Sequence, residues 1–318
     1  MTARFSVLAS GSGGNSSFLE VGGAAVLIDI GLGPRLLAAR MAAVGASWQQ
    51  VRAVLLTHTH GDHWKEATLV HLHRRGIPLY CHPDHHARLM YYPGTYRALK
   101  AAGLLRDYAE GGPFEPLPGL VCRPFPVPHD SRRTFGFRLE GPGDLFGPGW
   151  SLGFASDLGN WTPELAGAVR DVDLLALEFN HDVEMEKNSR RMPHHIARVL
   201  GDGGHLSNAQ AAEFLSRHLR ESAAGTLRHL VQLHLSRDCN LPALAIDAAR
   251  RVLNRHASTA QIHTAHQDRP LAFIPLGSIH SARAGARRGP RPARAGSTQP
   301  ALPGLEETGE GGSERPSR

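Results

Sequence analysis

The segment Thr57-His58-Thr59-His60-Gly61-Asp62-His63 constrains this chain more than any other. It follows the wholly apolar run Ala53-Val-Leu-Leu, so its side chains emerge where a buried strand ends. Four groups able to hold a metal fall within six residues, alternating with small ones, and a turn can aim all four at one point. Imidazole nitrogen and carboxylate oxygen suit Zn(II), Mn(II) or Fe(II), and the absence of thiolate disfavours a purely structural zinc. The plain alternative is a polar, His-rich surface loop. HxHxDH directly after an apolar strand is far more specific than a lone histidine.

The rest of the chain can build a scaffold for such a turn. With 318 residues, 41% of them hydrophobic, it has ample material for a core, in one large domain or two small ones. No stretch of about 18 apolar residues occurs, and the N-terminus runs into a strand-like segment without a secretory apolar region. Three widely spaced cysteines (Cys81, Cys122, Cys239) without a CxxC pair argue against a disulfide framework. A soluble, cytoplasmic protein without a membrane partner is expected. Of the net charge of +6, half lies in residues 281–318, where seven arginines face four glutamates. That tail is rich in Gly, Pro, Arg and Ser and reads as a disordered segment after a folded domain of residues 1–280. The remaining mild basicity permits a polyanionic partner without demanding one.

Strands are expected at Arg4–Ala9, Ser17–Val21, Ala24–Ile28, Ala53–Thr57 and Pro78–Cys81, then at Leu120–Val127, Thr134–Leu139, Ser151–Ala155, Asp173–Glu178, His229–Leu233 and Ala260–Thr264. Helices are expected at Pro34–Val44, Glu66–Arg75, Asp84–Met90, Thr95–Ala102, Thr162–Val169, Asn208–Arg220 and Pro242–Arg255. Glu110–Gly119 and Gly141–Gly149 read as loops. Hairpins followed by β/α alternation predict an α/β protein with helices outside stacked sheets.

Further candidate ligands sit at strand ends. Asp29 closes Val26-Leu-Ile-Asp, His129 lies in Pro126-Val-Pro-His-Asp, Asp157 in Phe154-Ala-Ser-Asp and His234 in Leu233-His-Leu-Ser. Alone, each reads as a cap or turn residue. Together, in this order and beside HxHxDH, they make residues 4–275 resemble the metallo-β-lactamase-fold hydrolases. Ser10-Gly-Ser-Gly-Gly-Asn-Ser-Ser, Glu178-Phe-Asn-His-Asp, Gly204-His-Leu-Ser-Asn and His234-Leu-Ser-Arg-Asp-Cys-Asn look more narrowly like the YycJ-like (WalJ-type) branch, related to the RNase J and RNase Z nucleases. The chain departs from the branch at Arg-Asp-Cys-Asn, where a charged residue is usually followed by paired asparagines. The interval from Asp157 to His234 is too short for an inserted domain of the RNase J kind.

The resemblance implies a four-layer αββα sandwich and a site for two divalent metal ions, Zn or Mn, with Fe also suitable. His58, His60 and His129 would take the first position, Asp62, His63 and His234 the second, with Asp157 bridging and Asp29 orienting a ligand from behind. A hydroxide between the ions would be the nucleophile, since metal binding lowers the pKa of water from about 15.7 to near 7. Asp62 would also hold that hydroxide. His205 would bind phosphate or donate a proton, although a structural role at the start of a helix is the plain alternative. Asn15, in a Gly-rich turn able to cradle phosphate or simply to close a hairpin, is a candidate substrate contact, as are His181 and Arg132. The pairs His85-His86 and His194-His195, with His71 and His73, read mostly as solvated helix-face residues. The implied activity is that of a phosphodiesterase, foremost a DNA exonuclease, with nucleic acid as substrate. A small-molecule hydrolase and a non-enzymatic metal-dependent binding module are the competing readings, because fold alone does not choose a chemistry.

Overall fold

Along Ala24–Ile28, neighbouring side chains go to opposite layers. Val26 and Ile28 join one buried apolar cluster, Ala25 and Leu27 another. This is the period-two alternation of a strand covered on both faces. It recurs throughout a computed structural model that describes residues 2–131, 133–143 and 149–277. The first sheet holds β1 (Ala3–Ala9), β2 (Ser16–Val21), β3 (Ala24–Ile28), β4 (Val51–Leu55), β5 (Leu79–Cys81) and β6 (Leu105–Asp107), with β14 (Ile274–Leu276) added beside β1. The second, in the order β13-β12-β11-β10-β9-β8-β7, holds β7 (Phe114–Leu117), β8 (Leu120–Val127), β9 (Thr134–Gly141), β10 (Trp150–Ala155), β11 (Leu174–Glu178), β12 (His229–Leu233) and β13 (Gln261–Thr264). Each sheet is antiparallel over its hairpins and parallel over its β/α part, β3 to β6 in one and β10 to β13 in the other.

Helices α1 (Pro34–Ala43), α2 (Glu66–Arg75), α3 (His86–Leu89) and α4 (Pro93–Ala101) cover the first sheet through Leu37, Met41, Leu69, Leu72 and Leu99. On the second sheet, α5 (Pro163–Ala168) lies with α8 (Asn208–Glu221) and α9 (Pro242–Arg255), which pack Leu165, Phe214, Leu215 and Val252 against Leu175, Leu177 and Leu230. The short α6 (Val183–Lys187) and α7 (Pro193–Leu200) fill the connection from β11 to α8. Between the sheets lies a third apolar layer containing Phe5, Ile28, Leu55, Phe137, Leu152 and Val231. Three apolar layers separate four layers of structure, the αββα sandwich. Truncating one such fully buried leucine to alanine costs about 2–5 kcal/mol.

This architecture puts the chemistry at one edge. Ligand sites in open α/β sheets lie beyond the carboxyl ends of parallel strands. Here Asp29 follows β3, the His58–His63 turn follows β4, Asp157 follows β10, Glu178 ends β11 and His234 follows β12.

Several expectations need correction. Glu110–Gly119 is not wholly a loop, because Phe114–Leu117 forms β7 and pairs with β8 across a tight turn at Pro118-Gly119, where Gly119 has φ +76°. Asp84–Met90 is not one helix. A 3-10 turn over Pro83–His85, in which the His82 and His85 side chains cap each other's backbone, precedes the one-turn α3. His85 is accordingly buried, with Nε2 donating to the Arg133 carbonyl at 2.7 Å, and not a solvated helix-face residue. The segments β6, β14, α6 and α7 went unforeseen because three to eight residues give periodicity too little room. The three cysteines are free and buried. No helix among the described residues is long and apolar enough to cross a membrane. The expected disordered tail lies outside the described residues, as do residues 144–148 of the Gly141–Gly149 loop.

Candidate metal centre

The HxHxDH turn is fixed from behind by Asp29. One Asp29 oxygen accepts from the Thr57 amide at 2.8 Å, and the other from the Thr57 hydroxyl at 2.8 Å and from His63 Nδ1 at 2.7 Å. Gly31 lets the turn lie this close, since a Cβ there would meet the Asp62 carbonyl oxygen at 1.7 Å. The loop Ser10–Asn15 closes the other side. The Gly11 amide donates to Asn15 Oδ1, Gly13 to Gln267 Oε1, Gly14 to the Gly11 carbonyl and Asn15 to the Asp62 carbonyl. These amides are spent on building the turn, so they do not cradle a phosphate. The Asn15 side chain is buried and donates to His63 Nε2 at 3.0 Å and to Asp62 Oδ2 at 3.2 Å, which makes it a support for the turn.

Four imidazoles obey one rule. Nδ1 of His58 meets the Thr57 hydroxyl at 3.0 Å, that of His63 Asp29, that of His129 the Gly204 carbonyl at 3.0 Å, and that of His234 Glu178 Oε1 at 2.9 Å. An acceptor on Nδ1 holds a proton there and leaves Nε2 as the atom that would ligate. His58 Nε2 and His234 Nε2 are buried without any hydrogen-bond partner, and His60 Nδ1 stands 3.2 Å from His129 Nε2. Orphaned buried nitrogens cost free energy unless something fills them, and a divalent cation fits this all-nitrogen and oxygen set.

Ligand atoms of His58, His60 and His129 lie within 4.8 Å of one another, as do those of Asp62, His63, Asp157 and His234. Asp157 sits within the second group, with Oδ2 3.1 Å from His63 Nε2 and Oδ1 3.4 Å from His234 Nδ1. Burial keeps His58 well below its usual pKa and lowers His60 and His129 as well, so these three are neutral and ready to ligate. His63 and His234 move the other way. Burial opposes their charge, but Asp157 with Asp29 lifts His63 well up, and Asp157 with Asp62 and Glu178 raises His234 to about 10. The same contacts hold Asp157 well below the carboxylate range despite its burial.

Glu178 is the residue that sequence reading passed over as a ligand support. It is fully buried at the end of β11, where Oε1 accepts from both His205 Nδ1 at 2.8 Å and His234 Nδ1, and Oε2 from the Leu158 amide at 2.8 Å. Burial alone would raise its pKa, yet His205 and His234 bring it down to about 2. An acid closing the apolar run Leu174-Leu-Ala-Leu was the available signal. The strand-end ligands share a backbone trait. Among the described residues six non-glycines have positive φ, and Asp29 (62°), Asp157 (58°) and His234 (55°) are three of them. Such backbone is uncommon outside glycine, and Asp and His tolerate it better than most.

A cleft of about 520 Å³ opens onto the cluster, bordered by Asp62, Asp157, His205 and His234 on its floor and by Arg191 and Arg198 on its wall. Arg191 lies just before the unforeseen α7 and Arg198 on it, and they are held by Glu186 and Asp130 respectively. His205 reaches this cleft. His181 does not border it; the residue is 1% exposed, with both ring nitrogens unpartnered, so its candidacy as a direct substrate contact has no geometric support. Arg132 lies outside the described residues. His263 pairs with His229 at 3.2 Å on the far strands and does not join the cluster.

An αββα sandwich whose strand ends gather histidines and carboxylates around a polar cleft defines a metal-dependent hydrolase, and the donor set suggests divalent metal. The chain belongs to the beta-lactamase superfamily domain family, whose model matches residues 25–226. It is 27% identical over 249 residues to the exodeoxyribonuclease WalJ of Streptococcus pneumoniae, covering 76% of this chain and 85% of that protein. It is 24% identical over 257 residues to the exodeoxyribonuclease YycJ of Bacillus anthracis, covering 80% of this chain and 90% of that one. Among solved structures, the metallo-beta-lactamase fold protein YhfI from Bacillus subtilis superposes with a TM-score of 0.59 at 14% identity, over 85% of this chain and 99% of that one.

Proposed function

We propose that this protein is a metal-dependent phosphodiesterase acting on nucleic acid, foremost an exonuclease on DNA, with two ions of the Zn or Mn type. The observation that carries the reading is the gathering of ligand atoms from His58, His60 and His129 in one group and from Asp62, His63, Asp157 and His234 in another, with His60, Asp62, Asp157 and His234 bordering one cleft. The two relatives described as exodeoxyribonucleases support the choice of nucleic acid. In this reading His58, His60 and His129 would hold one ion and Asp62, His63 and His234 the other, with Asp157 as the carboxylate that would serve both. Bound divalent ions supply an activated water near neutral pH and stabilise charge on the attacked phosphoryl group. The protein's own groups do the rest. Asp29 and Glu178 keep the rings in their ligating tautomers. His205, with Nδ1 held by Glu178, borders the cleft and is the group placed to relay a proton to the leaving oxygen. Arg191 and Arg198 place positive charge where a substrate phosphate enters.

The test is digestion of end-labelled DNA and RNA, beside bis(p-nitrophenyl) phosphate and a lactam and thioester panel, by protein reconstituted with Zn or Mn. Turnover of diesters that a chelator abolishes is expected. Faster turnover of a lactam or thioester than of any diester would overturn the reading.

A further inference from the structure

Met90, Tyr91 and Tyr92, between α3 and α4, are 49%, 69% and 42% exposed. Folding gives no reason to display three consecutive large apolar residues, and such runs otherwise mark a contact surface. The turn that carries them is ordered. The Met90 amide donates to the His86 carbonyl, Tyr91 to Arg88 and Tyr92 to Leu89, and Pro93 then starts α4. The display is also tied to the metal centre. Tyr92 packs edge-on against Trp64 with centroids 5.8 Å apart, and the Trp64 indole donates to the Thr59 carbonyl, inside HxHxDH, at 3.0 Å.

Cations accompany the rings. The Arg88 guanidinium lies 4.5 Å from the centre of the Tyr91 ring, and Lys65 Nζ donates to the Gly61 carbonyl at 2.6 Å. Together Gly61, Trp64, Lys65, Arg88, Tyr91 and Tyr92 bound a hollow of about 220 Å³. The one acid beside it, Glu66, accepts from the Thr95 hydroxyl at 3.2 Å. Gly61 also borders the metal cleft, so hollow and cleft adjoin across a residue without a side chain.

We propose that Tyr91 and Tyr92, flanked by Arg88 and Lys65, are a stacking platform for an unpaired nucleobase of a strand whose phosphate lies in the metal cleft. The inference rests on the phosphodiesterase reading and adds the state of the strand. Aromatic faces with adjacent cations take any base and follow the phosphates beside it, which gives binding without sequence preference. A base stacked inside a duplex offers no free face, so the platform selects single strands or frayed ends. The positive charge and the continuity with the cleft favour a nucleic-acid strand over a second copy of the chain.

The experiment compares metal-reconstituted full-length protein with the Tyr91→Ala/Tyr92→Ala and Tyr91→Phe/Tyr92→Phe double variants, thermal melts confirming that each is folded. The probe is an oligonucleotide carrying 2-aminopurine near one end, single-stranded or in a blunt duplex. Quenching on binding the single strand is expected for the wild type, with affinity roughly 5- to 100-fold weaker in the alanine variant and restored in the phenylalanine variant. The ratio of kcat/KM on single strand to that on bis(p-nitrophenyl) phosphate should fall in parallel. Equal binding by the alanine variant, or blunt duplex bound as tightly as single strand, overturns the proposal. So does sedimentation showing a wild-type dimer that the alanine variant abolishes, since the face then joins two copies. Turnover of bis(p-nitrophenyl) phosphate without single-strand binding removes the platform but leaves the phosphodiesterase; absence of all diester turnover removes both.

Discussion

The first sheet delivers its share of the candidate metal centre on a single turn, from His58 to His63, held by Asp29 and by the close packing against Gly31. The second sheet gathers His129, Asp157, Glu178, His205 and His234 from the ends of four different strands and one helix approach. The two halves therefore fail differently. A local turn is one rigid unit, so a single displacement moves all its ligands together. The dispersed half depends on sheet register and on a buried carboxylate that clamps two rings, so each loss is partial. Left-handed backbone occurs in both, at Asp29 in one and at Asp157 and His234 in the other.

The sharpest way to break that contrast is Gly31→Ala. The added methyl collides with the Asp62 carbonyl, and the whole turn must shift. Loss of all bound metal and of at least about 100-fold in kcat/KM is expected, since a displacement near 1 Å can cost that much. Elemental analysis retaining full metal would show that the turn does not move as a unit. In the dispersed half, His234→Ala should lose only part of the metal while removing most of the activity, whereas His263→Ala should keep its metal because that ring lies away from the cluster. The reverse pattern of metal content would refute the placement of His234.

A smaller effect compares the two supporting carboxylates. Asp29→Asn and Glu178→Gln each leave size unchanged and remove the charge behind a ligand ring, so metal affinity should fall about 10- to 100-fold in either. Only Glu178→Gln should also flatten a limb of the pH–rate profile, because only Glu178 touches His205. The smallest effect lies away from the centre. His218, buried on α8 with both ring nitrogens unpartnered, is lowered to about 4 by burial. The unfolded chain therefore binds the extra proton first, and stability present above about pH 6.5 is lost as the pH falls toward 4, by up to about 3 kcal/mol. His218→Leu should flatten that part of the acid limb in thermal melts, while His234, raised to about 10, has no such acid-side loss.

Much was legible because it is local. HxHxDH, the strand-end positions of Asp29, Asp157 and His234, and the apolar runs of β3, β4 and β11 can be read along the chain, since a buried parallel strand needs continuous apolar residues and a ligand turn needs donors close in sequence. These residues were enough to set the α/β class and the kind of chemistry. The roles of Asn15, Glu178, Arg191 and Tyr92 were not legible, because each is defined by a partner far along the chain: Asp62, His234, the metal cleft and Trp64. Asn15 looks like a phosphate-loop residue until the fold brings the HxHxDH turn against its amide. Glu178 looks like an ordinary strand end until β11 and β12 pair in register and set His234 beside it. Sequence determined which donors exist and that a strand would end behind them. Only the stacking of two sheets decided which ring nitrogens are buried without a partner beside other donors, and that juxtaposition is what makes a row of histidines a candidate metal site.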